Sequence, residues 1–333
     1  MKKKYIQIVI LALLLTATQS VIAAEVKLLN ASYDVSREFY KNYNSLFIKY
    51  WKQKTGDDVT VNQSHGGSSK QARAIVDGLE ADVVTMNQST DVDILAENQL
   101  IAADWAKRLP NNSAPFTSTT VLLVRKGNPK NIKDWNDLAK TGVSVIIANP
   151  KTSGNGRYAY LAAWGSVIKQ GGKPAQAKEL LAKIFANVPL LETGGRGATT
   201  TFVQRDIGDV LVTFENEVEL IKQEYGADKF DLVYPPISIV ADLPVSVVDK
   251  IADKHGTRKV AEAYLNYLYS PEAQELAAKF ELRPRDVKIA KKYSSSLPSL
   301  NLFTVEEIFG SLKLAQAEHF KDGGFFDQIY TKK

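Results

Sequence analysis

Four short stretches of this 333-residue chain are built from the same materials: "SYDVS" at 32–36, "SHGGSSK" at 64–70, "KTSGNGR" at 151–157 and "TGGRGATT" at 193–200. Each joins hydroxyls, small residues and bare backbone at the point where an apolar run gives way to helical spacing. The first N–H groups of a helix have no acceptor within it, and that end carries partial positive charge. Where small residues let a ligand approach the backbone, such a turn can hold an anion. Taken singly, each stretch is explained as well by ordinary capping, because Ser, Thr, Asp and Gly are favoured helix-start residues. Their recurrence at the ends of successive strands points to one shared anion site, since ligands of open α/β sheets sit beyond the carboxyl ends of the strands.

What the turns lack narrows the anion. The chain has no G-x-x-x-x-G-K-[ST], and "GGRG" does not open a dinucleotide fingerprint. Lys70, Lys151, Arg157 and Arg196 flank the turns and read as solvated or lobe-bridging charges rather than ligands. A small oxyanion can be held by neutral donors alone, each helix end adding ~0.3–1 kcal/mol. Catalytic chemistry is thinly supported. The histidines are His65, His255 and His319, there is no Cys, and neither an H-E-x-x-H nor a G-x-S-x-G motif occurs. Glu215 and Glu217 are the best candidates for paired acid–base work and read more readily as structural. No catalytic residue, metal ligand or cofactor is assigned, and the chain is not expected to be an enzyme.

The elements that must position these turns follow an α/β rhythm. "VKLLNASY", "DVTVNQ" and "ADVVTM" read as strands, separated by a helix carrying Phe39, Tyr43, Leu46, Phe47 and Tyr50 on one face and by a second with Ala72, Ile75, Val76 and Leu79. The unit recurs with "VSVIIA", a helix from Arg157, "VPLLET", a short helix and "DVLVTFE". Two longer β-rich runs, 116–129 and 237–248, break the rhythm and are expected to cross between two lobes, although the second contains Pro244. Residues 25–116, with 240–333 returning to them, are expected to form one lobe and 117–239 the other. Ser270 and Pro271 mark a helix start near the C-terminus.

Ahead of all this, "MKKKYIQIVILALLLTATQSVIAAEV" has three lysines, an apolar stretch too short to span a bilayer, and small residues at 23 and 24. Residues 1–24 are expected to be a cleaved export signal. Without its three lysines the formal charge falls from +5 to +2, which gives no footprint for nucleic acid.

The stretches "LLNASYDVSREFY", "QSHGGSSKQA", "RLPNNSAPFTSTTVLLVRKGNPKNIKDWNDL", "NPKTSGNGRYAYLAAWG", "TGGRGATTTF", "GDVLVTFENE" and "YLYSPEAQELAAKFELRPRD" together resemble the periplasmic sulfate- and thiosulfate-binding proteins of ABC importers. That resemblance covers nearly the whole mature chain. It implies a periplasmic, monomeric, two-lobed binding protein of type II, with two crossover hinge strands, that closes over a dehydrated oxyanion and docks on membrane permease subunits. It also implies the contacts: the N–H of Asp34, Ser68, the hydroxyl of Ser153, the N–H groups of Gly154 and Asn155, and the N–H of Gly195. Asn155 and Gly195 stand where Gly and Ala are usual, and the contacts there are main-chain. Phe214 stands where sulfate-specific members carry a Trp whose indole N–H donates to the anion, and Phe has no donor. The chain is closer to the thiosulfate-binding branch in this respect. Alternatives are the same scaffold binding molybdate or phosphate, or a periplasmic enzyme acting on sulfate or phosphate esters. Hydrogen phosphate brings a proton that needs an acceptor, whereas these turns offer mainly donors, and an unmet buried polar group costs ~1–3 kcal/mol.

Overall fold

The apolar run "VKLLNASY" folds as a strand over its full length, Val26–Tyr33, and its neighbours take their register from it. The structure, a computed structural model, describes residues 26–330; the expected export signal lies outside them. In chain order the strands are β1 (Val26–Tyr33), β2 (Val59–Gly66), β3 (Val83–Thr85), β4 (Phe116–Arg125), β5 (Val145–Ala148), β6 (Leu191–Glu192), β7 (Val210–Phe214), β8 (Phe230–Val233), β9 (Ser238–Asp242), β10 (Val245–Val247), β11 (Arg283–Pro284) and β12 (Leu302–Phe303). The longer helices are α1 (Arg37–Thr55), α2 (Ser68–Val76), α3 (Ser89–Glu97), α4 (Gly154–Lys169), α5 (Pro174–Ala186), α6 (Gly195–Val203), α7 (Glu215–Tyr225), α8 (Asp249–His255), α9 (Arg258–Tyr267) and α10 (Pro271–Lys279).

Two sheets result. The first has the order β10-β3-β1-β2, with β1, β2 and β3 parallel and β10 antiparallel. The second runs β12-β9-β4-β7-β5-β6, with β8 and β11 also on β4; β5, β6 and β7 are mutually parallel. Parallel strands point their carboxyl ends the same way, so the turns after β1, β2 and β3 gather at one edge and those after β5, β6 and β7 at another. In β7 every residue is buried, and the alternation of its side chains splits them between two cores. Val210, Val212 and Phe214 join the core that contains α4, while Leu211 joins Ala198 and Phe202 of α6 and Val218 and Ile221 of α7.

The chain passes from the first sheet to the second through β4 and returns through β9, which pairs antiparallel with it at Thr117↔Asp242, Ser118↔Ala241 and Thr119↔Val240. The run expected as one strand over 237–248 is two strands. Pro244 has no N–H to continue a ladder, and between Asp242 and Val245 the chain leaves the second sheet for the first, where the Pro244 carbonyl accepts from Met86 N. Strand β2 runs further than expected, through His65 and Gly66, because β1 pairs with it to Tyr33↔Gly66. The α1 stripe is Phe39, Tyr40, Tyr43, Phe47 and Trp51; Leu46 and Tyr50, expected on that face, are half-buried at its rim. Phe39 meets Phe116 edge-on and Phe47 meets Tyr264, tying α1 to the start of β4 and to α9. Ser270 caps α10 by accepting from Ala273 N, with Pro271 next in line.

The last stretch of the chain departs from the expectation that everything after 239 lies with the first sheet. Phe325 stacks on Trp164 of α4, Phe326 meets Phe185 of α5, and the Phe303 ring fills the space beside Gly165. The physical reason is the outward apolar face of α4 and α5, which the aromatic residues of 303–330 cover.

Candidate anion site

The four turns singled out by composition meet in space. Asp34 lies in a 3-10 turn after β1, Ser68 opens α2 after β2, Ser153 caps α4 after β5, and Gly195 opens α6 after β6. Thr152 Oγ1 donates to the Thr193 carbonyl at 2.9 Å, joining the α4 and α6 turns. Arg196 N donates to Asp34 Oδ2 at 3.3 Å, joining α6 to the turn after β1. Gly67, which caps α2, packs so closely on the α4 turn that a Cβ there would lie 2.9 Å from the Thr152 carbonyl oxygen. A fifth segment, the loop after β3, completes the ring: Gln88 Nε2 reaches the Gly154 carbonyl at 3.5 Å, and a Cβ on Gly154 would overlap Asn87 Oδ1. At Gly67 the approach is to main chain and leaves no room for a side chain; at Gly154 it is to the Asn87 side chain, which would have to turn aside.

The donors of this ring are neutral. Ser68 and Ser153 are 1 % and 2 % exposed. Ser153 Oγ accepts from Gly156 N at 3.5 Å, which leaves its proton free to donate elsewhere; Ser68 Oγ likewise accepts from Asn87 N at 3.4 Å. The N–H groups of Gly154, Asn155 and Gly195 occupy first-turn positions, where a helix supplies no acceptor. Charged side chains nearby are engaged with one another. Arg157, buried, donates to Gln88 Oε1 at 2.5 Å, Ser69 Oγ at 2.8 Å, the Pro150 carbonyl at 2.9 Å and Asp91 Oδ1 at 3.3 Å. Lys151 pairs with Asp327 and Asp322, and Arg196 with Glu224 and Glu217. His65 is pushed down to about 4, by burial first and then by Arg37, so it is neutral at neutral pH.

The two carboxylates considered for acid–base work have separate fates. Glu215 is held by Arg283 through two bonds of 2.7 and 2.8 Å and by the Tyr234 hydroxyl. Glu217 is fully buried, accepts from Thr199 Oγ1 at 2.7 Å, and burial pushes it up to about 7. Asp34 is also raised by burial, with the N–H groups of Arg196 and Val35 holding it back.

Asp34, Ser68, Ser153, Gly154, Asn155 and Gly195 are thus brought together. Phe214 ends β7 one residue beyond Thr213, with no solvent exposure, and its ring meets Tyr158 of α4 at 5.8 Å. Its recorded partners are core residues rather than the turns. Asn87 and Gln88 were missed by sequence reasoning, since "MNQST" has neither glycine nor a strong capping signature; the signal available was its place after a third parallel strand.

Residues 35–281 match the model of the family described as bacterial extracellular solute-binding protein. A thiosulfate-binding protein of Pseudomonas aeruginosa is 59 % identical over 91 % of this chain and 92 % of its own length. A sulfate-binding protein of Escherichia coli is 56 % identical over 96 % of this chain and 97 % of its own. Among solved structures, the sulfate-binding protein SubI of Mycobacterium tuberculosis superposes with a TM-score of 0.78 at 28 % identity, covering 86 % of this chain and 98 % of that one. The two-sheet architecture is that of the two-lobed type II periplasmic binding proteins.

Proposed function

The chain belongs to the bacterial extracellular solute-binding proteins, and from that premise we propose that it captures sulfate or thiosulfate in the periplasm and delivers it to the membrane subunits of an ABC importer. The observation that carries the reading is the meeting of helix starts from both sheets around neutral donors. A doubly charged oxyanion is stabilised there by oriented N–H dipoles and hydroxyls without a counter-cation. Asp34, Ser68, Ser153, Gly154, Asn155 and Gly195 supply the donors, and Phe214 forms apolar wall behind them. Residues 1–24 serve as the cleaved signal, and the mature protein acts as a monomer. The lobes close about β4 and β9: residues 25–116 and 240–301 move together, and 117–239 move with the C-terminal stretch that grips α4 and α5.

One observation favours a second ligand. Asp34 places a buried carboxylate in the ring, and a carboxylate is the acceptor that hydrogen phosphate would need. Its Oδ2 already accepts from Arg196 N, which supports the fully ionised anions instead. A thermal-shift panel on ligand-free protein tests the proposal. A specific anion present at a hundred times its Kd stabilises the fold by ~2.7 kcal/mol. Sulfate and thiosulfate should raise Tm at micromolar concentrations while phosphate and molybdate leave it unchanged; equal shifts from all four would defeat the assignment.

A further inference from the structure

The proposed anion contacts use only the main chain of Asn155, yet its side chain is 2 % exposed and must find its hydrogen bonds inside the protein. Nδ2 lies 3.2 Å from Thr213 Oγ1 at the end of β7. A methyl at Gly195 would come within 3.3 Å of the same nitrogen and 3.5 Å of Cγ. The amide therefore stands among the start of α4, the start of α6 and the end of β7. Oδ1 is buried and has no partner among the described residues.

A buried carbonyl oxygen without a donor leaves its desolvation uncompensated, so this orientation of the amide has a hydrogen bond unmade. Turning the amide by 180° about Cβ–Cγ exchanges its ends without moving another atom, and amide orientation is set by hydrogen bonding. The Thr213 hydroxyl, which makes no other hydrogen bond among the described residues, serves either end: it accepts from Nδ2 or donates to Oδ1. In the turned state Oδ1 is satisfied by Thr213, and Nδ2 takes the position now held by the unmet acceptor. With the amide packed beside the start of α6, an anion bound to the N–H groups of Gly154, Asn155 and Gly195 would then have a further N–H to accept from.

We infer that Asn155 is a specificity-determining residue whose side-chain Nδ2, positioned by the Thr213 hydroxyl, donates to the bound oxyanion. This rests on the proposed function and deepens it. The donor admits oxygens that carry no proton and turns away a ligand that presents a hydroxyl there. Phe214, next to Thr213 in the chain, has no donor, and Asn155 adds one to the hydroxyls of Ser68 and Ser153.

The test is calorimetric titration of the unsubstituted protein, Asn155→Ala, Thr213→Val, their double variant and Asn155→Asp with sulfate, thiosulfate and phosphate at pH 7. Asn155→Ala should weaken sulfate and thiosulfate by about 10- to 100-fold, the range for a hydrogen bond to a charged partner. Thr213→Val should produce a smaller loss, and the double variant should bind no worse than Asn155→Ala, because the hydroxyl acts only through the amide. Asn155→Asp, which offers acceptors alone, should raise the ratio of phosphate to sulfate affinity. Wild-type affinity in Asn155→Ala, or strictly additive losses in the double variant, would overturn the inference while leaving the proposed function standing. Failure of the unsubstituted protein to bind either sulfur oxyanion would overturn both. Thr213→Val leaves α4 untouched, so a folding defect in the Asn155 variants would not remove the test.

Discussion

Arg157→Met separates holding the lobes together from holding each lobe folded. Arg157 sits on α4, four residues past Ser153, and three of its four partners lie across the site: Gln88, Ser69 on α2 and Asp91 on α3. The fourth, the Pro150 carbonyl, belongs to its own turn. Methionine keeps much of the apolar stem and deletes the guanidinium. Asp91 is then left 1 % exposed with Ser69 as its remaining donor, and its Oδ2 already has no partner. Breaking one side of a buried ion pair costs ~3–5 kcal/mol. When the lobes part, water can reach Asp91, so the loss falls on the joined arrangement rather than on either lobe. An anion that needs both lobes should bind roughly a hundred to a few thousand times more weakly, at about 1.4 kcal/mol per tenfold. Titration calorimetry with sulfate gives the affinity, and scanning calorimetry without anion gives the stability. Unchanged affinity with a lowered ligand-free Tm would refute the reasoning and make Arg157 an ordinary core residue.

Ser153→Ala removes a hydroxyl donor from the ring and a helix cap together, and should weaken sulfate binding by about 10- to 100-fold while costing ~1 kcal/mol in stability, read by titration and by urea unfolding. Phe214→Trp should shift the ratio of sulfate to thiosulfate affinity toward sulfate by restoring an N–H; Phe214 is fully buried beside Tyr158, so ~1–3 kcal/mol of overpacking should appear in Tm, and an unchanged ratio in a folded variant would exclude Phe214 from selectivity. His255 donates to Glu80 Oε2 at 3.0 Å and to Asp82 Oδ1 at 2.9 Å, and these bonds raise its pKa above the ordinary 6.5. Its contribution to stability is complete below about pH 6.5 and is lost as pH rises through the raised value. The fall in Tm over that window should be shallower in His255→Gln.

The turns were legible because their chemistry is local. Ser, Gly and Asp at a strand end announce a helix start whatever surrounds them, so the four turns could be picked out from composition and order, while the individual contacts at Asp34, Ser68, Ser153, Gly154, Asn155 and Gly195 came from the resemblance to the sulfate- and thiosulfate-binding proteins. Features that depend on long-range packing were not. Asn87 and Gln88 enter the site only because β3 is parallel to β1 and the second sheet packs opposite it. The break at Pro244 follows from a change of sheet that no local pattern encodes. Arg157 and Lys151 look alike beside the same turn, yet one is buried against Asp91 and the other reaches Asp322 and Asp327, near the end of the chain. The destination of residues 302–330 rested on which helices left an apolar face uncovered. That the side chain of Asn155 matters, and not only its main chain, shows up solely in the contact with Thr213 and the unmet Oδ1.

The central claim is that neutral donors from both sheets hold a fully ionised sulfur oxyanion, and titration calorimetry of the ligand-free mature protein with sulfate, thiosulfate, phosphate and molybdate at neutral pH tests it most directly. Saturable one-to-one binding of thiosulfate at least as tight as that of sulfate is expected, with phosphate disfavoured by as much as ~10⁴-fold, the discrimination open to a site built on matched hydrogen bonds. Phosphate binding as tightly as sulfate, or no saturable binding of either sulfur oxyanion, would contradict it.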